Sequence, residues 1–293
     1  MKRFTIGLIQ MAPETTRMQS LDKAAGMVRE AADKGSELVC LPELFATPYF
    51  CQTEDHGRFE LAEPLDGPTI STMSKVARDK GITLAVSFFE KRAPGIYHNT
   101  MAVIGPDGTM LDLYRKMHIP DDPGYYEKFY FTPGDLGFKA VPTPVGPVGT
   151  LVCWDQWFPE AARMTALSGA MVLVYPTAIG WHPREKEEFG AEQRDAWITI
   201  QRAHAIANGV YVAAINRVGH EHSPEGGEGI EFLGSSFVSG PFGTVLIQGS
   251  TDGEEILLAE IDPAKIEATR QGWPFLRDRR IDAYSPLLSR FLT

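Results

Sequence analysis

The sequence predicts an α/β layered fold, with two sheets packed face to face and helices outside them. Apolar, β-rich runs alternate with helical patterns from one end of the chain to the other. A second observation is an internal doubling. Residues 99–111 resemble residues 234–246, 135 positions further on, and each pair of runs turns about a Gly-Pro-x-Gly corner at Gly105 or Gly240. Leu38-Val39-Cys40-Leu41-Pro42 is echoed by Leu173-Val174-Tyr175-Pro176 at nearly the same offset. Chance likeness between hairpins is the alternative, and the agreement of two offsets favours two related half-units.

Phe4 to Gln10 reads as the first strand, because Gln10 and Pro13 cut its apolar run short of a signal-peptide core. A helix follows at 20–34, where Leu21, Ala24, Ala25, Val28, Ala31 and Ala32 keep a 3.6-residue period and Gly35 ends it. The first half continues with a strand at 37–41, a helix at 68–80 and strands at 82–89, 99–104 and 109–114. The second half has strands at 148–153, 171–175, 210–216, 235–239, 244–248 and 256–261, with helices at 159–168 and 191–208. No Pro/Gly/Ser-rich linker or shift of composition divides the halves, so residues 1–293 are expected to form one domain.

Composition removes several classes of function. A 293-residue chain that is 43% hydrophobic can bury one large core. Lys and Arg number 28 against 38 Asp and Glu, a net charge of -10 with no basic run, which argues against a nucleic-acid partner. No apolar stretch approaches the roughly 20 residues that cross a bilayer, so no membrane partner is expected. Cys40, Cys51 and Cys153 are scattered without zinc or disulfide spacing, which points to a reducing, cytoplasmic setting. His220 and His222 flank Glu221 in an acidic, Gly-rich stretch that offers no clear further ligands and reads as a solvated loop. Glu185, Glu187 and Glu188 read as a solvated helix face, close enough in sequence to line a pocket entrance.

Cys153 closes the apolar run Val148-Gly149-Thr150-Leu151-Val152, which places its thiol where a core strand emerges into a turn. A lone cysteine there is ordinarily inert filler. Attack on an acyl or carbamoyl carbon also needs a base, an oxyanion donor and an acid for the leaving group. No histidine stands in a recognisable partner motif. Glu43 and Lys116 both follow strands, and each alone would read as a solvated surface charge.

Taken together, the segments resemble the carbon-nitrogen hydrolase, or nitrilase, superfamily over nearly the whole chain. Leu41-Pro42-Glu43 matches its first motif, Tyr114-Arg115-Lys116-Met117-His118 its second and Cys153-Trp154-Asp155 its third, with spacings of 73 and 37 residues. The resemblance implies a four-layer α-β-β-α sandwich with two pseudo-repeated halves, assembled as a homo-oligomer built from dimers. It implies hydrolysis of a small-molecule C–N bond with no metal or organic cofactor. By the same resemblance Cys153 is the nucleophile, Glu43 the general base and Lys116 the oxyanion partner. Glu127, 11 residues beyond Lys116, would be a second glutamate orienting the lysine and substrate. The backbone N–H of Trp154, next after the thiol, is the expected second oxyanion donor.

Within the superfamily, residues 48–52, 118–121, 123–125, 127–131 and 153–160, with Arg277-Asp278-Arg279-Arg280, are most similar to the N-carbamoylputrescine amidases. That implies release of putrescine, carbon dioxide and ammonia. Tyr49, Asp121 and Tyr125 are candidates to hold a distal ammonium, with Trp157, Thr177 and His182 also expected around the substrate. Asp121 would serve equally as a turn cap. Those amidases commonly continue from Tyr175-Pro176-Thr177-Ala178-Ile179-Gly180 into Ser-Glu-Pro, where this chain has Trp181-His182-Pro183. A substrate without a cationic tail, such as a carbamoyl β-amino acid, therefore stays open, as do ω-amidase and nitrilase activity. A catalytically silent binding scaffold is the reading from a different class.

Overall fold

A computed structural model describes residues 2–223 and 226–292. The first half contains β1 (Phe4–Gln10), α1 (Arg17–Asp33), β2 (Leu38–Cys40), α2 (Pro68–Lys80), β3 (Thr83–Ala93), β4 (Ile96–Ile104), β5 (Met110–Arg115) and the single turn α3 (Glu127–Tyr130). Next come β6 (Ala140–Val141), β7 (Val148–Thr150), α4 (Pro159–Leu167), β8 (Val172–Thr177), β9 (Gly180–Trp181) and α5 (Pro183–Asn208). The chain then runs through β10 (Tyr211–Asn216), β11 (Val218–Glu221), β12 (Ile230–Leu233), β13 (Phe237–Ser239), β14 (Val245–Gln248), β15 (Glu255–Ile261) and α6 (Pro263–Gly272).

One sheet has the order β15-β1-β2-β3-β4-β5 and the other β6-β7-β8-β10-β13-β14, with a small third sheet β11-β12-β9 beside them. Both large sheets have the same directions: an antiparallel edge strand, three parallel strands, then two antiparallel ones. At the corners the doubling extends to individual bonds. Gly105 N donates to Thr109 O at 2.8 Å and Gly108 N to Gly105 O at 2.9 Å, while Gly240 N donates to Thr244 O at 2.9 Å and Gly243 N to Gly240 O at 2.8 Å. Gly108 and Gly243 have φ of 79° and 75°, a conformation that favours glycine. Each half also lends its last strand to the other: β6 follows β5 but joins the second sheet, and β15 follows β14 but joins the first.

Strand alternation sorts the core into layers. Leu8, Leu38, Cys40, Ala85 and Met101 face between the sheets and share a cluster with Val172, Val174, Val212 and Val238. Ile9, Val39, Leu84, Val86 and Ala102 face outward, where Val28 of α1 and Met73 and Val76 of α2 cover them. Helices α4 and α5 pack on the second sheet. The result is an α-β-β-α sandwich.

Differences from the sequence reading have local causes. The strand expected at 148–153 stops at Thr150, because Val152 N turns to the Asp155 carboxylate at 3.0 Å and Cys153 adopts a left-handed φ of 43°. Helix α5 starts at Pro183, eight residues before the expected start, capped by His182, whose Nδ1 accepts from Arg184 N at 3.4 Å. Helix α6 escaped the periodicity search because only Ile266 and Thr269 are buried along it, although Asp262 caps it through Ala264 N at 2.9 Å. The stretch read as a solvated loop contributes His220 and Glu221 to β11, and Glu221 is nearly buried. Among the described residues no group of three or more His, Cys, Asp or Glu side chains is placed to hold a metal ion.

Candidate active site

Glu43 follows β2 and Lys116 follows β5, both in the first sheet, whereas Cys153 follows β7 in the second. The sandwich brings these strand ends together. Lys116 is wholly buried, and its Nζ donates to Glu43 Oε1 at 2.8 Å and to Glu127 Oε2 at 2.7 Å. Asn99 Nδ2 donates to the same Glu43 Oε1 at 2.6 Å, and Asn99 O accepts the Lys116 backbone N–H at 2.8 Å. Tyr49 OH donates to Glu127 Oε1 at 2.7 Å. This leaves Glu43 Oε2, like Asn99 Oδ1, buried and without a hydrogen-bond partner among the described residues, a free carboxylate acceptor inside the cluster.

The backbone is bent at both carboxylate and thiol. Leu44 and Cys153 have φ of 49° and 43°, a left-handed conformation that non-glycine residues adopt at a cost of roughly 1–3 kcal/mol. Leu44 N is met by Ser87 Oγ at 3.1 Å. Cys153 opens a 3₁₀ helix, Cys153–Trp157, and Trp154 lies in its first turn, where N–H groups lack intrahelical acceptors.

Electrostatics separate the groups. Burial pushes the Cys153 thiol well above its ordinary range, the Glu43 charge adds to this, and Lys116 opposes it, so the resting sulfur keeps its proton. Burial works against the Lys116 charge, but Glu127 and Glu43 outweigh it and hold the ammonium well above its usual range. Glu127 is raised to about 7 by burial, against the lowering influence of Lys116 and the Tyr49 hydrogen bond. The backbone N–H of Ala178, just after β8, favours the Cys153 thiolate. The arrangement can accept a thiol proton at a carboxylate and place a fixed cation beside the sulfur.

Asp155 joins the two sheets at this point. Its buried carboxylate accepts from Val152 N at 3.0 Å and Tyr114 OH at 2.8 Å through Oδ2, and from His118 N at 3.1 Å and Nδ1 at 2.7 Å through Oδ1. The loop that carries Lys116 is thereby fixed to the loop that carries Cys153. His118 also stacks on Phe158, ring centroids 3.7 Å apart. Gln156 is buried next to these; its Oε1 accepts from Trp197 Nε1 at 2.8 Å, and its Nε2 has no partner.

A cavity of about 480 Å³ leads from Cys153 to the surface. Glu127, Trp154, Trp157, Tyr125 and His182, all singled out in the sequence, line it together with Gln156 and Ala178. Three expected contacts lie elsewhere. Tyr49 is buried behind the wall with its hydroxyl on Glu127. Thr177 is buried too, its hydroxyl donating to Tyr175 O at 3.0 Å, and the wall position belongs to its neighbour Ala178. Asp121 is exposed and off the lining, where Asp122 takes its place. Glu185, read as part of a solvated face close enough in sequence to line an entrance, lines the cavity from the first turn of α5. Asp155 was legible as the third residue of a motif. Asn99 and Gln156 carry no sequence signal of their own.

Residues 5–271 match the family Carbon-nitrogen hydrolase. The chain belongs to the carbon-nitrogen hydrolase family. It is 43% identical over 290 residues to an N-carbamoylputrescine amidase of Oryza sativa subsp. japonica, covering 98% of this chain and 95% of that one. A citrullinase of Francisella tularensis is 36% identical, covering 99% of this chain and all of its own. The crystal structure of a carbon-nitrogen hydrolase from Helicobacter pylori G27 superimposes with a TM-score of 0.96 at 48% identity, covering 99% of this chain and 100% of that one.

Proposed function

We propose that this carbon-nitrogen hydrolase hydrolyses N-carbamoylputrescine to putrescine, carbon dioxide and ammonia. The observation that carries this reading is the cavity wall. Asp122 and Glu185 supply carboxylates and Trp154, Trp157 and Tyr125 supply rings, whereas among the described residues neither Lys nor Arg lines the cavity. The two cations that flank Glu185 on α5 are engaged with carboxylates, Arg184 Nε with Glu228 at 2.8 Å and Lys186 Nζ with Glu231 at 2.5 Å. Such a wall suits a flexible alkyl chain ending in an ammonium and disfavours a terminal carboxylate. The Oryza sativa relative named for this activity supports the same substrate.

In this reading Glu43 Oε2 takes the Cys153 proton as the sulfur bonds to the carbamoyl carbon. Lys116 and the Trp154 N–H face the oxygen that becomes negative, and Glu127 holds Lys116 in place. Collapse of the adduct breaks a C–N bond, and the proton returns from Glu43 to the departing amine or ammonia. Water, deprotonated by Glu43, then cleaves the C–S bond, and the carbamic acid released falls apart to carbon dioxide and the remaining nitrogen product. No cofactor enters these steps. The setting is read as cytoplasmic, from the three unpaired cysteines. A homo-oligomer built from dimers is supported by the exposed apolar side chains of the C-terminal stretch, among them Trp273, Ile281, Leu288 and Phe291.

Ammonia release from N-carbamoylputrescine, N-carbamoyl-β-alanine, an ω-amide and a nitrile, offered in parallel with Cys153→Ala as blank, tests the reading. Preference for N-carbamoylputrescine is expected. Preference for N-carbamoyl-β-alanine would overturn the substrate and keep the chemistry. Turnover surviving in Cys153→Ala would overturn both.

A further inference from the structure

We propose that Tyr49 is a positioning residue for Glu127, held as a rigid strut between the Glu43–Lys116–Glu127 cluster and a second buried ion pair, Arg217 with Glu221. The inference rests on the reading of Glu127 as the carboxylate that steadies Lys116.

Tyr49 is fixed at three points. Its hydroxyl donates to Glu127 Oε1 at 2.7 Å. Its backbone N–H donates to Glu221 Oε2 at 2.6 Å, a contact 172 residues distant in sequence. Its ring lies 5.9 Å from the guanidinium carbon of Arg217, which is 5.2 Å from the Phe232 ring. Tyr125 and Phe232 close on the same ring at centroid distances of 5.7 and 5.8 Å.

Arg217 is unusual for a structural cation. It is wholly buried, and only Nη2 is engaged, donating to Thr47 O at 2.6 Å and ion-paired with Glu221 Oε1 at 2.9 Å, while Nε and Nη1 have no hydrogen-bond partner among the described residues. A buried arginine with two unpartnered nitrogens is a costly way to stabilise a fold, since apolar packing generally does as well. What this one does is present a cation to the Tyr49 ring and anchor the carboxylate that holds the Tyr49 amide. Both contacts remove freedom from a side chain whose only polar end is on Glu127.

A strut matters here because opposing influences meet at Glu127. The groups around it are Lys116 at the end of β5, Glu43 at the end of β2, and Tyr49; Glu127 also acts on Cys51, Tyr125 and the Cys153 sulfur. Burial and Glu43 favour its protonation, whereas Lys116 and the Tyr49 hydroxyl favour the carboxylate. Only the Tyr49 bond can be removed without removing a charge.

Tyr49→Phe deletes that bond and leaves the ring in place. The expected result is a folded enzyme with unchanged KM for N-carbamoylputrescine, kcat lower by roughly ten- to a hundred-fold, the range set by one hydrogen bond to a charged group, and an acid limb of activity moved to higher pH. Glu221→Ala, which frees the Tyr49 amide from a distance, should move the limb in the same direction together with a lower Tm. The rate of Cys153 alkylation by iodoacetamide against pH, followed by mass, reads the same limb without any substrate. Wild-type kcat in Tyr49→Phe, or a lower kcat with the limb unmoved in both assays, overturns the proposal. A moved alkylation limb in a protein that does not turn over N-carbamoylputrescine supports the strut and refutes the substrate instead.

Discussion

Asp155→Asn tests whether the two sheets are held in register by one carboxylate. The native group accepts four hydrogen bonds, two at each oxygen. Asparagine keeps the shape but accepts at one oxygen only. With the oxygen toward His118, the new NH₂ opposes Val152 N–H, although Tyr114 OH can turn to accept from it. With the oxygen toward Val152, the NH₂ opposes His118 N–H. Either way one buried backbone N–H is orphaned, at roughly 1–3 kcal/mol, and the remaining bonds lose their ionic acceptor. A total of about 2–3 kcal/mol follows, and at about 2 cal/mol/K per residue for the unfolding entropy this lowers Tm by roughly 3–6 °C in a chain of this length. Activity should suffer more than stability. Lys116 and Cys153 lie on the two loops that Asp155 joins, and a displacement near 1 Å between reacting groups costs about a hundred-fold in rate. Calorimetry with steady-state kinetics at one pH reads both effects. A variant with unchanged Tm and kcat would refute the staple, and a lower Tm with full kcat would refute its role in register.

Other consequences are open to simpler tests. Cys153→Ser should lower kcat by at least ~10⁴-fold while leaving Tm near wild type, and surviving turnover by this variant would remove the nucleophile assignment. Because Glu127 is raised to about 7, kcat/KM should fall as pH drops through that value: protonation removes the charge that holds Lys116. A profile flat to pH 5 would contradict this. Pairing Asp122→Asn with Glu185→Gln should raise KM for N-carbamoylputrescine about ten-fold and spare kcat, at about 0.7 kcal/mol for each exposed carboxylate; an unchanged KM would remove the wall from substrate recognition. Gly134→Ala should destabilise by roughly 2–3 kcal/mol and lower activity, since its Cβ would meet Arg115 O at 1.9 Å beside Lys116. Wild-type Tm in that variant would show that the loop yields.

Much of this was readable from sequence, for identifiable reasons. The repeated Gly-Pro-x-Gly corners favoured equivalent hairpins over chance likeness, and Gly108 and Gly243 do occupy the same left-handed turn position. Glu43, Lys116 and Cys153, to which the chemistry is assigned by proposal, stood out because each follows a strand within a short motif that resembles the family's. The helix at Pro263–Gly272 was not, since an almost wholly exposed helix has little apolar period to detect. Around the site, Tyr49 and Asp121 looked like amine contacts because residue type signals what a side chain can bind, not which way it points. The fold turns Tyr49 inward to Glu127 and puts Asp122, not Asp121, on the wall. Asn99 and Gln156 are ordinary residues in sequence, and only the meeting of distant strands gives them a task.

The reciprocal loan of edge strands limits how this enzyme can breathe. The two halves are interlocked: β15 is zipped along β1 over seven residue pairs, and β6 is paired to β7. Sliding or hinging one sheet away from the other would have to unzip a strand covalently attached to the opposite half. The route to the Cys153 thiol that leaves every strand paired is the mouth between the 120–125 loop and the start of α5. Residence time of product should respond to changes at that rim and be indifferent to the stiffness of the core.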